Sequence, residues 1–414
     1  MLLDRTYAWR LILGAAAVAF VLRAAFGLTY WVGKPLTHDE REYLALAASL
    51  AEGRGFTYGP GHQSGTAQQF GRAPFYPMFL AAIRATTPAP DGGTPTRVKI
   101  VQSILGAALV LLLGATALQV VGPRAGVTAA LVGAIYPPLV WYPSYVLSET
   151  LYSILAIGTA LLLQRAVDRS EHEHSGRAGA PLALLTGIIA GAAVLTRPAM
   201  LVFVPLVLVW LAIRRRYVLA LALTAGVAAV VLPWTARNYR VYDRFVLVAS
   251  EGGVTFWTGN HPLARGEGDL AANPDIKRAE LEFRQLHPAL SPEELEPLYY
   301  RDALAHITAQ PGWWLGLLAR KAFYTVVPAG PSYGVHSPLY RIGSIVPYLV
   351  LLPFGAAGVR RLWRSPRRPS ALLLLAGSTL LVSLIFFPQE RFRVPVIDPM
   401  LILSAAASSR RNAQ

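Results

Sequence analysis

The chain has 414 residues, of which 54% are hydrophobic and only 15% are charged, with a mean hydropathy of +0.42. A soluble domain usually carries about a quarter charged residues, so this composition argues against a soluble protein and favours a chain with many membrane spans. The formal net charge of +15 could suit nucleic-acid binding, but the basic residues cluster at the ends of apolar segments, which argues against that class.

Ten apolar segments meet the requirement of a membrane-spanning helix, which needs about 20 largely apolar residues. They predict an all-α polytopic membrane protein built as a bundle of about ten transmembrane helices. The first segment is too long for the apolar core of a signal peptide, so we expect it to be retained as a span. The segments are 11–32, 99–121, 125–142, 147–164, 182–196, 199–213, 217–235, 342–359, 370–387 and 394–408.

The basic residues between these segments predict the orientation of the bundle. Arginine clusters precede the first segment, follow the sixth and separate the eighth from the ninth. They all fall on one side of a ten-span arrangement, which the positive-inside rule assigns to the cytoplasm. We therefore expect both termini to be cytoplasmic. The clusters include Arg5, Arg10, Arg124, Arg165, Arg169, Arg214, Arg215, Arg216, Arg360, Arg361 and Arg364.

A further apolar segment, residues 313–330, carries Arg320 and Lys321 near its centre. Counting it as a span would place the arginines of 360–368 outside the cell, against the positive-inside rule. We therefore predict an interfacial helix whose two charges reach the plane of the lipid phosphates. The chain then divides into three parts, which are an N-terminal transmembrane catalytic module (1–236), an outer-face loop with the interfacial helix (237–340) and C-terminal transmembrane helices (341–414).

Two long loops are predicted on the outer face. The first, residues 33–98, contains two amphipathic stretches and is expected to form interfacial helices. The second is predicted to be a small mixed segment with a strand-like run at 244–248 and a turn at Gly252-Gly253. A helix is expected to begin at Ser291, because serine can cap a helix and the next residue, Pro292, suits the first helical position.

Charged residues lie at the outer connections between the predicted spans, next to the membrane surface. Ionisable groups at that depth are costly and usually line a cavity, and here both signs of charge are present. Their convergence predicts a functional site, although one such residue alone would not. The candidates are Asp39, Glu40, Arg72, Tyr76, Glu149, Arg197, Arg237, Lys321, Arg391 and Arg393.

Several candidates also have a purely structural interpretation. Thr37 and Glu40 have the spacing of a capping box, so Asp39 and Glu40 could serve only to begin an interfacial helix. The two interpretations are compatible, because a helix start also fixes the carboxylates in place. Glu149 could similarly cap the next span. The arginines of the outer turns could simply reach lipid phosphates by snorkelling, and these are Arg197, Arg391 and Arg393.

Short motifs occur in a specific order across nearly the whole chain. They are Asp39-Glu40 followed by Tyr43-Leu-Ala-Leu-Ala47, Arg72-x-Pro74-x-Tyr76-Pro77, Ser148-Glu149-x-Leu151-Tyr152, Thr196-Arg197-Pro198, Pro233-Trp234-x-x-Arg237-Asn238, Trp257-x-Gly259-Asn260-x-Pro262 and Arg391-Phe-Arg-Val-Pro395. This ordered set resembles family-39-type glycosyltransferases of the GT-C fold. That group includes protein O-mannosyltransferases, the aminoarabinose transferase of lipid A and proteins like the rhizobial core-oligosaccharide transferases.

The resemblance implies sugar transfer from a polyprenyl-phosphate-linked donor at the outer face of the bacterial cytoplasmic membrane. In the family the aspartate of the acidic pair acts as the base, a role that falls here on Asp39. A basic residue before a proline contacts the lipid phosphate, and Arg72 holds that position. The expected partners are the donor, membrane lipid and a glycan, lipid or protein acceptor, without nucleic acid.

No cofactor or metal is predicted. The sequence has no cysteine, and His62, His172 and His174 lack a metal-ligand spacing. In the aminoarabinose transferase an acidic residue implicated in metal binding precedes the phosphate-contacting basic residue. Gly71 occupies that position here, which is a departure from the pattern.

The residue types themselves support the same chemistry. Arginines and Lys321 at the head-group plane would stabilise the negative charge that grows on a leaving lipid phosphate. An ionised Asp39 beside a helix N-terminus can accept the proton of the attacking acceptor. No covalent enzyme intermediate is required, so we expect single displacement with inversion at the anomeric carbon.

A secondary transporter or flippase of a lipid-linked or anionic substrate is the alternative function, because transporters also hold charges within the bilayer. The two halves of this chain do not match, however, and the charges gather at one face, which favours the transferase. A non-catalytic scaffold for envelope assembly is a third interpretation. It predicts that Asp39 and Arg72 can be replaced together by alanine without loss of function.

Overall fold

The computed structural model describes residues 4–58, 71–173, 177–268, 270–365 and 368–408, so His62 and His174 lie outside the described residues. Within those ranges the chain is helical and has no β-strand, which confirms the predicted all-α class. The helices are α1 (Arg5–Ala25), α2 (His38–Ala51), α3 (Phe75–Ala82), α4 (Thr96–Val120), α5 (Pro123–Ile135), α6 (Pro137–Trp141), α7 (Glu149–His172), α8 (Ala180–Thr196), α9 (Met200–Ile213), α10 (Tyr217–Tyr242), α11 (Gly252–Asn260), α12 (Pro274–Gln285), α13 (Pro292–Ala309), α14 (Pro311–Val326), α15 (Pro338–Arg364), α16 (Ser370–Ile385), α17 (Glu390–Arg393) and α18 (Ile397–Ser408).

Each of the ten predicted spans contains a helix. In the described ranges, five helices are long and apolar enough to cross a bilayer, namely α1 with its π-helical extension to Tyr30, α4, α7, α10 and α15. The pair α5 and α6 is a sixth candidate, bent by 62°. Four shorter apolar helices, α8, α9, α16 and α18, occupy the remaining predicted spans. This set of helices is that of an integral membrane protein.

The bend between α5 and α6 interrupts the predicted span 125–142 at Tyr136. Two prolines follow, and a proline disfavours helical backbone in the residue before it. The carbonyl groups left free at the end of α5 are satisfied by the buried Arg23 of α1. Its guanidinium donates to the Gly133 oxygen at 3.0 Å and to the Ala134 oxygen at 3.1 Å. The bend is therefore held by a charged side chain from a neighbouring helix.

Close helix packing in the bundle depends on small residues, as is typical of membrane helices. The clearest case is the contact between α8 and α10, where Gly187 lies against the backbone of α10. A Cβ atom on Gly187 would lie only 2.2 Å from the carbonyl oxygen of Leu223. Large apolar side chains such as Val21, Ile135 and Leu221 are exposed on the outside of the bundle, where a bilayer would cover them.

The first predicted outer loop contains α2 and α3, which correspond to its two amphipathic stretches. The capping box predicted at Thr37 is present at the start of α2. The helix start predicted at Ser291 is also confirmed, because the Ser291 side chain accepts from the Glu294 amide and Pro292 begins α13.

The prediction of a strand at 244–248 is wrong. This run is neither strand nor helix, because side chains of α10 bind its carbonyl oxygens in place of a partner strand. Trp234 Nε1 donates to the Val248 oxygen at 2.8 Å, and Asn238 Nδ2 donates to the Val246 oxygen at 3.0 Å. The segment is thereby held along the end of α10.

The turn predicted at Gly252-Gly253 is also wrong, because these residues begin α11. The glycines instead allow α11 to approach α13 closely. A Cβ atom on Gly253 would lie 2.4 Å from the carbonyl oxygen of Glu296.

Candidate active site

The first turn of α2 places the acidic pair Asp39-Glu40 on two different sides of the helix. Glu40 is buried and completes the capping box by accepting from the Thr37 amide at 2.8 Å. Its other carboxylate oxygen accepts from the Val146 amide, also at 2.8 Å, and so ties α2 to the connection before α7. Glu40 therefore fixes the helix start, while Asp39 faces the arginines described next.

Arg72 lies at the centre of three carboxylates. Its Nη2 donates to Asp39 Oδ1 at 2.7 Å, its Nε to Glu42 Oε2 at 2.8 Å, and its Nη1 to Glu251 Oε2 at 2.9 Å. The face of Tyr43 lies 5.6 Å from the guanidinium carbon and covers it on one side. All three nitrogen atoms of this guanidinium are thus engaged by carboxylates.

Arg391 carries the ion pairs from α2 to the ends of the membrane helices. Its Nη1 donates to Asp39 Oδ2 at 2.6 Å, and its Nε donates to Glu149 Oε1 at 3.0 Å. Glu149 begins α7 and also pairs with Arg197, which follows α8, at 2.7 Å. The result is one continuous set of ion pairs, called here the ion-pair chain: Glu251, Glu42, Arg72, Asp39, Arg391, Glu149 and Arg197.

The ion-pair chain draws on all three parts into which the sequence was divided. Asp39, Arg72, Glu149 and Arg197 come from 1–236, whereas the other parts contribute Glu251 and Arg391. The site is therefore assembled from residues far apart in sequence.

Glu251 reaches the site because its segment is fixed to the segment of Arg72. The Gly71 amide donates to Ser250 Oγ at 2.8 Å, and the Ser250 amide donates to the Gly71 oxygen at 3.2 Å. These two bonds place Arg72 and Glu251 side by side. The run 244–248, fixed along α10, delivers Ser250 to this position.

The electrostatics of the ion-pair chain keep Asp39 ionised. Burial raises the pKa of Asp39, but Arg391 and Arg72 lower it by more, so the pKa lies well below its usual range. Burial also raises the pKa of Glu42, and the neighbouring Arg72 only partly offsets that effect. The pKa of Arg391 lies well above its usual value, because Glu149 and Asp39 outweigh the effect of burial.

Two arginines of the ion-pair chain retain unused donor groups. Within the described residues, Arg391 Nη2 has no protein acceptor, and Arg197 Nη2 has none either. The Arg197 guanidinium lies 5.1 Å from the Phe392 ring centre and 5.9 Å from that of Tyr152, so aromatic faces flank it. Both arginines can therefore bind an anion without first losing every protein contact.

Tyr76 and Arg237 lie close to the site but outside the ion-pair chain. Tyr76 is fully buried, and its hydroxyl donates to Gln102 Oε1 at 3.3 Å. Its ring meets that of Tyr43 edge to face at 5.0 Å, so it supports the residue that covers Arg72. Arg237 lies over the Trp234 ring at 4.9 Å and donates to the Phe56 oxygen at 3.3 Å.

Lys321 does not reach outward as its sequence position suggested. It is fully buried, and its Nζ donates to Asn260 Oδ1 at 2.9 Å and to the Leu384 oxygen at 3.2 Å. Burial lowers the pKa of Lys321 to about 7. Its neighbour Arg320 is the exposed residue of the pair. Lys321 therefore joins α14 to α11 and α16.

Arg393 also lies apart from the ion-pair chain, although it is on the same short helix as Arg391. Its Nε pairs with Asp398 Oδ1 at 2.8 Å, and its guanidinium carbon lies 4.1 Å from the ring centre of Tyr348. The exposed fraction is 9% for the Arg393 side chain and 0% for Asp398. This pair is sealed inside the protein.

The candidate residues selected from the sequence did not include Glu42 and Glu251, both of which contact Arg72. Glu42 follows Asp39 by three residues in α2, so helical geometry puts the two carboxylates on the same face. That spacing could have identified Glu42 as a site residue from the sequence. Glu251 had no such signal, because it reaches Arg72 only through the hydrogen bonds of Ser250 with Gly71.

The fold is similar to solved membrane enzymes. The apo oligosaccharyltransferase of Archaeoglobus fulgidus matches with a TM-score of 0.56 and 17% identity over 97% of this chain and 50% of that one. The archaeal oligosaccharyltransferase AglB from Archaeoglobus fulgidus, in complex with an inhibitory peptide and a dolichol-phosphate, matches with a TM-score of 0.55 and 15% identity over 96% of this chain and 50% of that one. ArnT from Cupriavidus metallidurans, bound to undecaprenyl phosphate, matches with a TM-score of 0.40 and 14% identity over 96% and 76%.

The match to the archaeal enzyme shows that the chain has the GT-C fold, which the motifs in its sequence led us to expect. The chain spans about half the length of the archaeal oligosaccharyltransferase that it matches. No protein-family model matches the sequence. No curated protein sequence matches it either.

A protein with this fold could bind a metal ion, because the archaeal enzyme has also been crystallised in complex with zinc and sulfate. In the described part of the present chain, no group of three or more histidine or acidic side chains is arranged to hold a metal. The carboxylates that come nearest, Asp39, Glu42 and Glu251, direct oxygen atoms at the Arg72 guanidinium instead. The residues present therefore do not fit a metal.

Proposed function

We propose that the protein is an inverting glycosyltransferase that takes a sugar from a polyprenyl-phosphate-linked donor. The acceptor would be a glycan, lipid or protein at the outer face of the bacterial cytoplasmic membrane, with both chain termini in the cytoplasm. The observation that carries the proposal is Asp39, held between Arg391 and Arg72 where several membrane helices end. A half-buried carboxylate between two arginines combines a proton acceptor with cations that can bind phosphate.

The donor phosphate would bind to Arg391 and Arg197. Arg197 follows α8 and Arg391 comes shortly after α16, so both lie at the ends of apolar helices, where lipid phosphates would be within reach if these helices span the bilayer. Their free Nη2 groups can donate to phosphate oxygens in the planar geometry that guanidinium groups favour. As the bond between the anomeric carbon and the phosphate oxygen breaks, these arginines would stabilise the charge that develops on the leaving phosphate.

Asp39 would act as the general base. In the free protein its low pKa makes it a weak base, because Arg391 and Arg72 stabilise the ionised form. A bound phosphate would compete with Asp39 for Arg391. Asp39 would then lose one of its two cationic partners, and its pKa would rise toward the ordinary range. The base would thus become stronger when the donor is in place.

The proposed reaction is balanced without an additional co-reactant. The acceptor hydroxyl or amine attacks the anomeric carbon, and its proton moves to Asp39. The bond between the anomeric carbon and the phosphate oxygen breaks, and the polyprenyl phosphate leaves with the bonding electrons. A single displacement of this kind inverts the anomeric configuration.

The experiment that tests this proposal measures release of polyprenyl phosphate by purified protein in detergent. A panel of polyprenyl-phosphate sugars is supplied with an extract of native membranes as a source of acceptors. Wild type is compared with Asp39→Asn and with Asp275→Asn, a matched control in an exposed ion pair with Arg265. General base catalysis contributes roughly 10²–10⁴-fold, so Asp39→Asn should lose that much activity and Asp275→Asn should not.

Two results would contradict the proposal. One is equal release by Asp39→Asn and wild type when both proteins are folded. The other is no release from wild type with any donor, accompanied by movement of a lipid-linked or anionic substrate across sealed vesicles. The second result would establish transport instead of transfer.

A further inference from the structure

We infer that Arg72 takes the place of a divalent cation in this site, holding together three carboxylates that a metal ion would otherwise have to neutralise. The inference depends on the proposed function only where it names Asp39 as the base. The rest of the inference is based on the contacts that Arg72 makes.

The three carboxylates come from two distant parts of the chain and surround the Arg72 guanidinium, where each contacts a different nitrogen atom and Glu42 also shares Nη2 with Asp39. Asp39 and Glu42 lie on one face of α2, and Glu251 immediately precedes α11. Each directs an oxygen atom at the Arg72 guanidinium, at 2.7, 2.8 and 2.9 Å. Carboxylate oxygens are the ligand type that Ca²⁺, Mg²⁺ and Mn²⁺ prefer, but with Arg72 between them these carboxylates are not arranged to hold a metal.

These carboxylates require a cation because they are close together and only partly exposed to water. The exposed side-chain fraction is 5% for Glu42, 22% for Asp39 and 30% for Glu251. Like charges at such separations repel strongly unless a positive group lies between them. A guanidinium supplies a permanent charge and five N–H donors in one plane, so it can bind several carboxylates at once.

The backbone holds Arg72 in position by two hydrogen bonds between Gly71 and Ser250. A metal ion at the same centre would have to displace the guanidinium and would bring a second positive group against it. The site therefore accommodates Arg72 or a divalent cation, but not both.

Arg72 consequently acts as a positioning residue for Asp39. Every nitrogen of its guanidinium already donates to a carboxylate, whereas Arg391 and Arg197 retain free donor groups. This assignment differs from the expectation that the resemblance gave for Arg72, which was contact with the lipid phosphate. Arg72 therefore holds the carboxylates in position, whereas Arg391 and Arg197 bind the anion.

The test asks whether removal of the guanidinium creates a divalent cation site. Full-length wild type, Arg72→Ala and the double variant Arg72→Ala/Glu42→Gln are purified in detergent after treatment with a chelator. Mn²⁺ binding is measured by electron paramagnetic resonance, and thermal unfolding is measured with and without Mn²⁺. Arg197→Ala is the matched control, because it removes an arginine that pairs with only one carboxylate, Glu149.

We expect Arg72→Ala to bind Mn²⁺ at least about ten-fold more tightly than wild type, and its unfolding temperature to rise when Mn²⁺ is added. The double variant should lose both responses, and Arg197→Ala should show neither. If Arg72→Ala folds only when Mn²⁺ is present, that result supports the inference equally. Arg72→Gln, which removes the charge but keeps much of the side chain, provides the same comparison if Arg72→Ala does not fold under either condition.

Two outcomes would overturn the inference. The first is a tight Mn²⁺ site in wild type that the single variant Glu42→Gln, purified in the same way, no longer has. The second is a Mn²⁺ response of Arg72→Ala and Arg72→Gln no larger than that of Arg197→Ala. Neither readout uses sugar transfer, so failure of this inference and failure of the proposed function are distinguishable.

Discussion

The four-residue helix α17 carries two arginines whose surroundings differ in a way that separates binding from structure. Arg391 pairs with Asp39, and 26% and 22% of the two side chains are exposed. Arg393 pairs with Asp398, and there the exposed fractions are 9% and 0%. The residue types are the same in both pairs. An accessible pair can exchange one partner for a ligand, whereas a sealed pair can only hold the protein together.

The sealed side of α17 also explains how the accessible side is positioned. Glu390 accepts from the Tyr340 hydroxyl at 2.6 Å and from Ser344, both on α15. Arg393 lies against Tyr348 of the same helix. α17 is thereby anchored to α15 on one side, and Arg391 projects from the other side toward Asp39. Stability and binding are thus assigned to adjacent residues of one turn.

The largest difference between the two arginines should appear in activity. Replacing Arg391 by alanine removes a cation that stabilises the leaving phosphate, so kcat/KM should fall by roughly 10²–10³-fold. The measurement is polyprenyl phosphate release, with the folded fraction determined in parallel. A loss of less than about ten-fold, in folded protein, would remove Arg391 from the phosphate site.

Arg393 should differ by affecting stability instead. Arg393→Met leaves Asp398 as an uncompensated buried charge, so the free energy of unfolding should fall by about 3 kcal/mol. The double variant Arg393→Met/Asp398→Leu removes both charges and should recover most of that loss. Reversible unfolding in mixed detergent measures both values. Equal stability of the single and the double variant would show that the sealed pair does not act as described.

Glu149 should have a smaller effect, because it holds Arg391 and Arg197 without contacting the reacting atoms. In Glu149→Gln the two guanidinium groups lose their shared carboxylate partner, so KM for the donor should rise by about ten-fold. kcat should change less than KM, since the arginines remain available once the donor is bound. Steady-state kinetics over a range of donor concentrations tests this, and a larger change in kcat than in KM would contradict it.

The smallest expected effect is a shift in pH dependence. The pKa of Asp39 in the free protein is lowered mainly by Arg391, so the carboxylate stays ionised below its usual range. Activity that needs ionised Asp39 is therefore retained as the pH falls through about 4, the ordinary pKa of aspartate. In Arg391→Gln that pKa should rise, and the acid limb of kcat/KM should move to higher pH. An acid limb at the same pH in both proteins would show that Arg391 does not control Asp39.

Much of the fold could be predicted from the sequence, because apolar segments and capping residues act locally. Each predicted span contains a helix, and the capping signals at Thr37 and Ser291 marked real helix starts. The failures came from long-range contacts. The run 244–248 has the composition of a strand, but Trp234 and Asn238 of α10 bind its carbonyl oxygens.

The candidate site was predictable only in part, for a similar reason. Ionisable residues at membrane depth are costly, and this cost selected five residues that the structure brings together, namely Asp39, Arg72, Glu149, Arg197 and Arg391. The same argument could not separate Arg391 from Arg393, because their burial depends on partners in α2 and α18. Glu251 was inaccessible to sequence reasoning, since its position depends on hydrogen bonds with a segment far away in the chain.

In the proposed mechanism a lipid phosphate replaces Asp39 as the partner of Arg391, and equilibrium binding measures this exchange. Binding of polyprenyl phosphate is measured for wild type, Asp39→Asn and the control Asp275→Asn in the same detergent. Removing the competing carboxylate should make Asp39→Asn bind about ten-fold more tightly than wild type, although it has lost turnover. Asp275→Asn should bind as wild type does. Unchanged or weaker binding by folded Asp39→Asn would show that the phosphate does not compete with Asp39 for Arg391.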